Sequence, residues 1–364
     1  MTHQMRPVEQ DRSARPALLR ALGAILALAA ATTLAVACND APAASAAPRW
    51  DSRSVGESIK STPFTPVIVN SNIGRGPTRL ALALLKRDQT LVTEGKVTAR
   101  LFRLDVDPEK NPTVSTLLDR YELTARIVDV GDHGAMRFDR DERGRTMLDV
   151  AQRDTRPVVA TLPAHDGALS AIFTVVVDFQ EPGMWGAELE VKTGSKTYRN
   201  LLLTFAVLER TAEPSIGELA PRTKQKIAKD VSSLAEIDSS TTPNPALHNI
   251  TVADAIASGK PTLVAFVTPA FCQTRFCGPV LTNAVLPVQQ QYNGRVNVIH
   301  IEPYDLPAAR RGTLTAVPAA QEWNLRSEPF IGILDGQGRV TAKFEGIIDF
   351  AEIKQALDAV LAAK

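Results

Sequence analysis

Residues 262–279, TLVAFVTPAFCQTRFCGP, decide how the C-terminal part of the chain folds. The first six are apolar or β-branched without interruption, which is typical of a strand buried on both faces. Pro279 is tolerated in a helix only within the first turn, so a helix is predicted to begin at Gly278 or Pro279. Cys272 and Cys277 therefore lie in the loop between a buried strand and a helix. This loop is at the carboxyl edge of the predicted sheet, where α/β folds bind ligands.

The elements predicted around this stretch alternate between helix and strand. A short helix follows Thr251, and Arg295–Glu302 is an apolar strand. Two further strands flank the Gly-containing turn Asp335–Gly338 and form a hairpin. Phe350–Leu361 has apolar residues along one side and is predicted to be an amphipathic helix. The predicted order is helix, strand, helix, strand, a further short helix, two strands and a helix.

A second motif lies directly before the predicted hairpin. It is the stretch SEPF, Ser327–Phe330, which contains Pro329. The cysteine loop and this proline, in this order, resemble the active site of the thioredoxin superfamily over residues 248–364. The resemblance implies a thioredoxin-like α/β fold and a redox-active pair formed by Cys272 and Cys277. It also implies that Pro329 is the cis-proline that keeps its loop beside the cysteines and aligns a substrate strand.

The spacing of the two cysteines differs from the C-x-x-C pair that is usual in that superfamily. On a regular helix, positions five apart have Cα atoms ~8–9 Å apart, whereas a disulfide needs them within ~7 Å. Both cysteines therefore cannot lie in regular helix and be bonded. Cys277 at the N-cap would have its thiolate stabilised by the helix, which favours Cys277 as the nucleophile. In the other register Cys272 attacks and Cys277 resolves, and both alternatives stay open.

The preceding part of the chain, residues 61–210, has apolar residues that recur with a period of two, as in Trp185–Val191. Seven or eight short strands punctuated by Gly, Pro and Asp favour an antiparallel sandwich. Pro66–Leu80 and Phe179–Val191 resemble the immunoglobulin-like domain of some exported bacterial proteins. Residues 211–247 have the composition of a linker. The predicted fold class is two domains, an all-β immunoglobulin-like sandwich followed by an α/β thioredoxin-like fold.

The N-terminal residues predict the compartment. Residues 1–37 carry arginines followed by an apolar stretch, which is typical of a signal peptide. The stretch LAVAC that ends at Cys38 resembles a bacterial lipobox, which implies lipidation of Cys38 and a tether over residues 38–60. Ala35–Ala37 also fits an A-x-A cleavage site of a secreted protein, and an uncleaved anchor is the third alternative. All three place the rest of the chain outside the cytoplasm, and the first makes it a membrane-anchored lipoprotein of the cell envelope.

Composition excludes several functional classes. The chain has 41 Lys+Arg, 40 Asp+Glu and a formal net charge of +1, so no nucleic-acid partner is predicted. Three cysteines in 364 residues exclude a disulfide-rich mini-domain and a Cys₄ zinc site. No metal ion and no cofactor is predicted.

These observations favour a membrane-anchored thiol–disulfide oxidoreductase whose partners are exported proteins that carry disulfides or thiols. A thiol peroxidase is an alternative, because Thr268–Cys272 resembles peroxiredoxins of the bacterioferritin-comigratory type. A non-catalytic module that binds metal or a partner, with a structural disulfide between Cys272 and Cys277, is another. Polar residues at the end of the strand Arg295–Glu302 are candidate proton shuttles. They are His300, Glu302, Tyr304 and Asp305.

Overall fold

The computed structural model describes Trp50, Glu57, Lys60 and residues 62–88, 90–104, 116–129 and 169–363. Cys38, the predicted signal peptide and most of the predicted tether lie outside these residues. Within the described part of the chain, no helix is long and apolar enough to cross a membrane.

Seven antiparallel strands between residues 64 and 207 form one continuous sheet in the order β1-β2-β5-β4-β3-β6-β7. They are β1 (Phe64–Ile68), β2 (Gly76–Lys86), β3 (Lys96–Arg103), β4 (Thr116–Asp129), β5 (Leu169–Phe179), β6 (Gly183–Thr193) and β7 (Lys196–Val207). The two edge strands approach each other, since the rings of Phe64 in β1 and Tyr198 in β7 meet edge to face at 5.1 Å. The sheet is therefore a nearly closed, barrel-like structure around an apolar interior.

The predicted immunoglobulin-like sandwich is wrong, and strand β4 explains why. A sandwich needs two separate sheets. The fourteen-residue β4 instead pairs with β3 through its first part and with β5 through its second, for example Leu123 with Val97 and Thr124 with Thr174. One strand thus joins what would be two sheets into one.

Both faces of β2 are buried from Thr78 to Leu84. Leu80, Leu82 and Leu84 face the apolar interior of the barrel. The alternate residues Ala81 and Ala83 belong to a second apolar cluster on the outside, together with residues of the C-terminal part. The outer face of β2 is therefore a contact surface between the two sheets of the molecule.

The C-terminal part contains a four-stranded sheet in the order β11-β10-β8-β9, in which only β8 and β9 are parallel. The strands are β8 (Thr262–Phe266), β9 (Asn297–Ile301), β10 (Phe330–Leu334) and β11 (Val340–Glu345). The helices are α1 (Val252–Ala257), α2 (Cys277–Val280), α3 (Leu286–Gln291), α4 (Leu306–Arg310), α5 (Pro318–Glu322) and α6 (Phe350–Ala362).

The predicted α/β thioredoxin-like fold is contradicted as well, because the described chain is mostly β and its helices are few and short. Only α6 exceeds six residues. Between β8 and β9 the helical segment is interrupted by a wide π turn at Leu281–Val285. Pro287 has no N–H to donate to the carbonyl group one turn earlier, which is consistent with this interruption.

Residues 211–250, which we call the connecting segment, contain only short 3₁₀ turns but pack closely against the four-stranded sheet. The indole Nε1 of the fully buried Trp323 donates a hydrogen bond to Thr223 Oγ1 at 3.1 Å. Asp238 and His248 of this segment are also buried. The connecting segment is therefore part of the core that surrounds the candidate site.

Candidate functional site

The cysteine loop runs from the end of β8 to the start of α2. The helix begins at Cys277, one residue before the predicted start, and Phe276 is its N-cap residue. Cys272 lies in the loop and is partly exposed, whereas Cys277 is completely buried. Both are thiols in this structure.

The sulfur of Cys272 lies at the beginning of the helix. The backbone N–H of Cys277 donates a hydrogen bond to Cys272 Sγ at 3.2 Å, and Thr274 Oγ1 lies 3.3 Å from the same sulfur. Burial by itself raises the pKa of Cys272, but hydrogen bonds from Cys277 and Thr274 outweigh it and bring that pKa below its ordinary value. The structure thus stabilises a thiolate at Cys272.

Cys277 has the opposite environment. It packs in the apolar core of the four-stranded sheet with Val267 and Val280. Burial, followed by the side chain of Cys272, raises its pKa well above the ordinary thiol value. The two thiols therefore differ in both exposure and acidity.

The loop before β10 brings a carboxyl group to the cysteines. The Glu328–Pro329 peptide bond is cis, and Pro329 is buried. Glu328 Oε2 accepts a hydrogen bond from Tyr304 Oη at 2.8 Å, and Oε1 accepts a longer one from the backbone N–H of Gln273 at 3.4 Å. The pKa of Glu328 is raised to about 7, chiefly by burial. Its negative charge raises the pKa of both thiols.

The strand-end residues suggested as proton shuttles separate into three groups. Tyr304 reaches the cysteine site through Glu328, and burial together with that carboxyl raises its own pKa well above the ordinary value. Asp305 is exposed and caps α4 by accepting a hydrogen bond from the N–H of Ala308. His300 and Glu302 direct polar atoms toward the connecting segment instead.

His300, Asp238 and His248 form a buried polar cluster behind the cysteine loop. Asp238 Oδ2 lies 3.0 Å from His248 Nε2 and 3.5 Å from His300 Nδ1. His300 Nε2 contacts the carbonyl oxygen of Val267 at 2.9 Å. Next to this cluster, Glu302 Oε1 accepts a hydrogen bond from the N–H of Ser239 at 2.7 Å. The sequence does not indicate Asp238 and His248 as site residues, because the stretch around them has the composition of a linker.

Phe276, the residue before Cys277, connects the site to the barrel-like sheet. It is 2% exposed and belongs to the outer apolar cluster that contains Ala81 and Ala83 of β2 and Ile172 of β5. Ile347, after β11, belongs to the same cluster. The N-terminal sheet therefore helps to hold the residue from which the helix of the site begins.

An open groove of about 600 Å³ runs beside the cysteine loop. Its lining includes Pro269, Ala270 and Gly278, together with residues 238–242 of the connecting segment. A Cβ atom at Gly278 would meet nothing within 4 Å. The surface beside the cysteine loop is therefore concave and open to a ligand.

Comparison with known proteins yields little. No family model matches the chain, and no curated protein matches it. Among solved structures, a DsbF homologue from Corynebacterium diphtheriae is similar to part of it, at 16% sequence identity and a TM-score of 0.27. The match covers 40% of this chain and 90% of that chain. The likeness is weak and partial, and no comparison supports the resemblance to immunoglobulin-like domains.

Proposed function

We propose that the protein is a thiol–disulfide oxidoreductase that works through Cys272 and Cys277. The observation that carries this proposal is the asymmetry of the two thiols. Cys272 is partly exposed and has a lowered pKa, while Cys277 is buried behind it and has a raised pKa. A structural disulfide needs no such difference between its cysteines. Thiol–disulfide exchange needs one accessible thiolate that attacks and a second thiol that resolves the mixed disulfide.

The reaction begins when the Cys272 thiolate attacks one sulfur of a partner disulfide. A bond forms between Cys272 and that sulfur, and the other partner sulfur leaves as a thiolate. Cys277 then loses its proton and attacks Cys272 Sγ, which forms the Cys272–Cys277 disulfide and releases the second partner thiolate. The partner disulfide is reduced by two electrons and the cysteine pair is oxidised by two. The reverse sequence oxidises a dithiol partner.

Glu328 is the proposed acceptor of the Cys277 proton. A general base is most effective when its pKa is close to the working pH, and the pKa of Glu328 is about 7. Its hydrogen bonds to Tyr304 and Gln273 hold the carboxyl beside the cysteine loop. The ionised carboxylate also disfavours a second negative charge at Cys277 until the proton moves.

The groove beside Pro269 and Gly278 is the proposed site for the partner. Its volume and openness suit an extended peptide segment better than a small molecule enclosed on all sides. The proposed partners are exported proteins that carry disulfides or thiols, and attachment to the envelope membrane through lipidated Cys38 belongs to the same proposal. Incorporation of labelled fatty acid that a Cys38→Ala variant lacks would test that attachment.

Trapping of the mixed disulfide tests the exchange reaction. In Cys277→Ala the second step is blocked, so a model disulfide protein such as oxidised insulin is expected to stay bonded to Cys272. The matched variant Cys272→Ser keeps Cys277 buried and is expected to trap nothing. Equal trapping by both variants, or trapping only by Cys272→Ser, would contradict the roles assigned to the two thiols. Rapid turnover of hydrogen peroxide with no exchange would favour the peroxidase alternative.

A further inference from the structure

A buried cluster in the C-terminal part has the donor atoms of a metal site. Asp238, His248 and His300 each offer one donor atom, and the three atoms lie within 4.8 Å of one another. Four ligands at about 2.1 Å around a tetrahedral ion are about 3.4 Å from one another. The separations of Asp238 Oδ2 from the two histidine nitrogens, 3.0 and 3.5 Å, lie on either side of that value.

The hydrogen bonding of His300 points to a cation in the cluster. Its Nε2 contacts the Val267 carbonyl, which only accepts hydrogen bonds, so Nε2 carries a hydrogen. The other nitrogen, Nδ1, is buried without a hydrogen-bond partner and faces Asp238 Oδ2 at a distance beyond an ordinary hydrogen bond. In the neutral ring, two acceptors therefore face each other in the core. A backbone carbonyl that fixes one nitrogen while the other faces an ion is the usual arrangement of a metal-binding histidine.

Two of the three residues, His248 and His300, line a cavity of about 270 Å³ together with Glu302. Glu302 Oε2 is also buried without a hydrogen-bond partner. Space and a second buried carboxylate therefore lie beside the two histidines. Three protein ligands with space beside them leave a coordination position for water or for a small ligand.

We propose that Asp238, His248 and His300 bind a divalent transition-metal ion of the Zn²⁺ class. Imidazole and carboxylate donors suit such ions, and neither cysteine belongs to the cluster. This inference does not depend on the thiol chemistry proposed above. The ion would hold the connecting segment against β9 and the start of the cysteine loop.

The contacts around the cluster explain how this ion would influence the cysteines. Ser239, next to Asp238, donates its N–H to Glu302 and accepts a hydrogen bond from the Ala270 N–H through Oγ at 3.0 Å. Ala270 precedes Cys272 by two residues and lies in the wall of the groove. An ion at Asp238 therefore stabilises the position of one wall of the partner groove.

The test uses the full chain, purified in detergent, freed of metal by a chelator and then given Zn²⁺ or Co²⁺ alone. We expect one Zn²⁺ per chain to survive dialysis. We expect Co²⁺ to give the ligand-field absorption of a four- or five-coordinate ion without a thiolate-to-cobalt charge-transfer band. This spectrum reports the coordination number and the absence of thiolate ligands without any substitution.

Variants then identify the site. His248→Gln and Asp238→Asn are expected to weaken Zn²⁺ binding by about 100-fold or more, since even changes outside the ligand set cost about 10–100-fold. The double variant Cys272→Ser/Cys277→Ala should bind as the wild type does. Asp305→Asn, which removes an exposed carboxylate from the rim of the same cavity, is the matched control and should also bind normally.

Three results would overturn the proposal. The first is that the wild type retains no metal; a protonated His300 paired with Asp238 would then explain the contact between them. The second is a thiolate-to-cobalt band that disappears in the cysteine variant. The third is unchanged binding in His248→Gln with its circular dichroism spectrum intact.

Discussion

Arg79 on β2 makes four buried hydrogen bonds to the C-terminal part. Its removal is therefore a direct test of how that part is joined to the barrel-like sheet. Its guanidinium forms two hydrogen bonds with the Glu352 carboxylate, both at 2.8 Å. It also donates to the carbonyl oxygens of Glu345 and Ile347, at 2.9 and 2.7 Å. The side chains of Arg79 and Glu352 are only 6% and 7% exposed.

Replacement of Arg79 by Met keeps much of the apolar volume and deletes all four hydrogen bonds. Removal of one partner of a buried ion pair costs about 3–5 kcal/mol, because the other charge is left in the core. Glu352 retains Arg126, whose Nε lies 3.3 Å from Oε1. We therefore expect Arg79→Met to lower the free energy of unfolding by about 3 kcal/mol, near the lower end of that range.

Urea denaturation followed by circular dichroism measures this loss as a lower midpoint with an unchanged slope. The matched control is Arg75→Met, because the Arg75–Glu209 pair has a similar 3.0 Å separation but is more than half exposed on both sides. That exposed pair should contribute at most about 1 kcal/mol. Equal, small effects of the two substitutions would refute the view that the buried pair joins the sheets.

Three other changes test the site and its surroundings. Glu328→Gln removes a negative charge, so Cys272 should react faster with iodoacetamide near pH 7. The attack of Cys277 on a trapped mixed disulfide should slow by about 100-fold, because its proton acceptor is lost. An unchanged rate of this step would exclude Glu328 as the base. Phe276→Ala should lower the free energy of unfolding in urea by about 3 kcal/mol and make Cys277 accessible to alkylation. A Cys277 that stays protected from alkylation would contradict the supporting role of the barrel-like sheet. The pKa of the buried Glu345 is raised from 4.5 to about 7, chiefly by burial, so the folded state holds its proton more tightly than the unfolded state. The free energy of unfolding of the wild type should therefore fall as the pH rises from about 4.5 to about 7, by up to about 3 kcal/mol from this group. Glu345→Gln should flatten that decline. Identical pH profiles of the two proteins would show that Glu345 does not cause it.

The positions of the strands could be predicted from the sequence better than their arrangement. Alternating residues such as Trp185–Val191 are part of β6, and the apolar run after Pro261 contains β8. Which strands pair depends on contacts between distant residues. Nothing in the sequence of Thr116–Asp129 indicates that one half pairs with β3 and the other with β5. The alternating pattern therefore predicts a sandwich where a single sheet forms.

For the candidate site, too, the positions of residues along the chain could be predicted better than their contacts. The sequence alone names Cys272, Cys277 and Pro329 as candidates, because their spacing along the chain is visible. Glu328 lies in the same motif as Pro329, but its raised pKa depends on burial beside Tyr304, which is 24 residues away. The order of thiol acidity also depended on the fold, because the helix begins one residue earlier than expected and directs its first N–H to Cys272.

The reduction potential of the Cys272–Cys277 pair tests the central proposal most directly. The purified protein would be equilibrated in graded thiol/disulfide buffers, and the fraction of oxidised pair would be measured by alkylation and mass spectrometry. Proposed exchange activity predicts a potential between about −120 and −270 mV, the range of catalytic pairs. A potential below about −300 mV would identify a structural disulfide, and failure of the two cysteines to form a disulfide in any buffer would equally contradict the proposal.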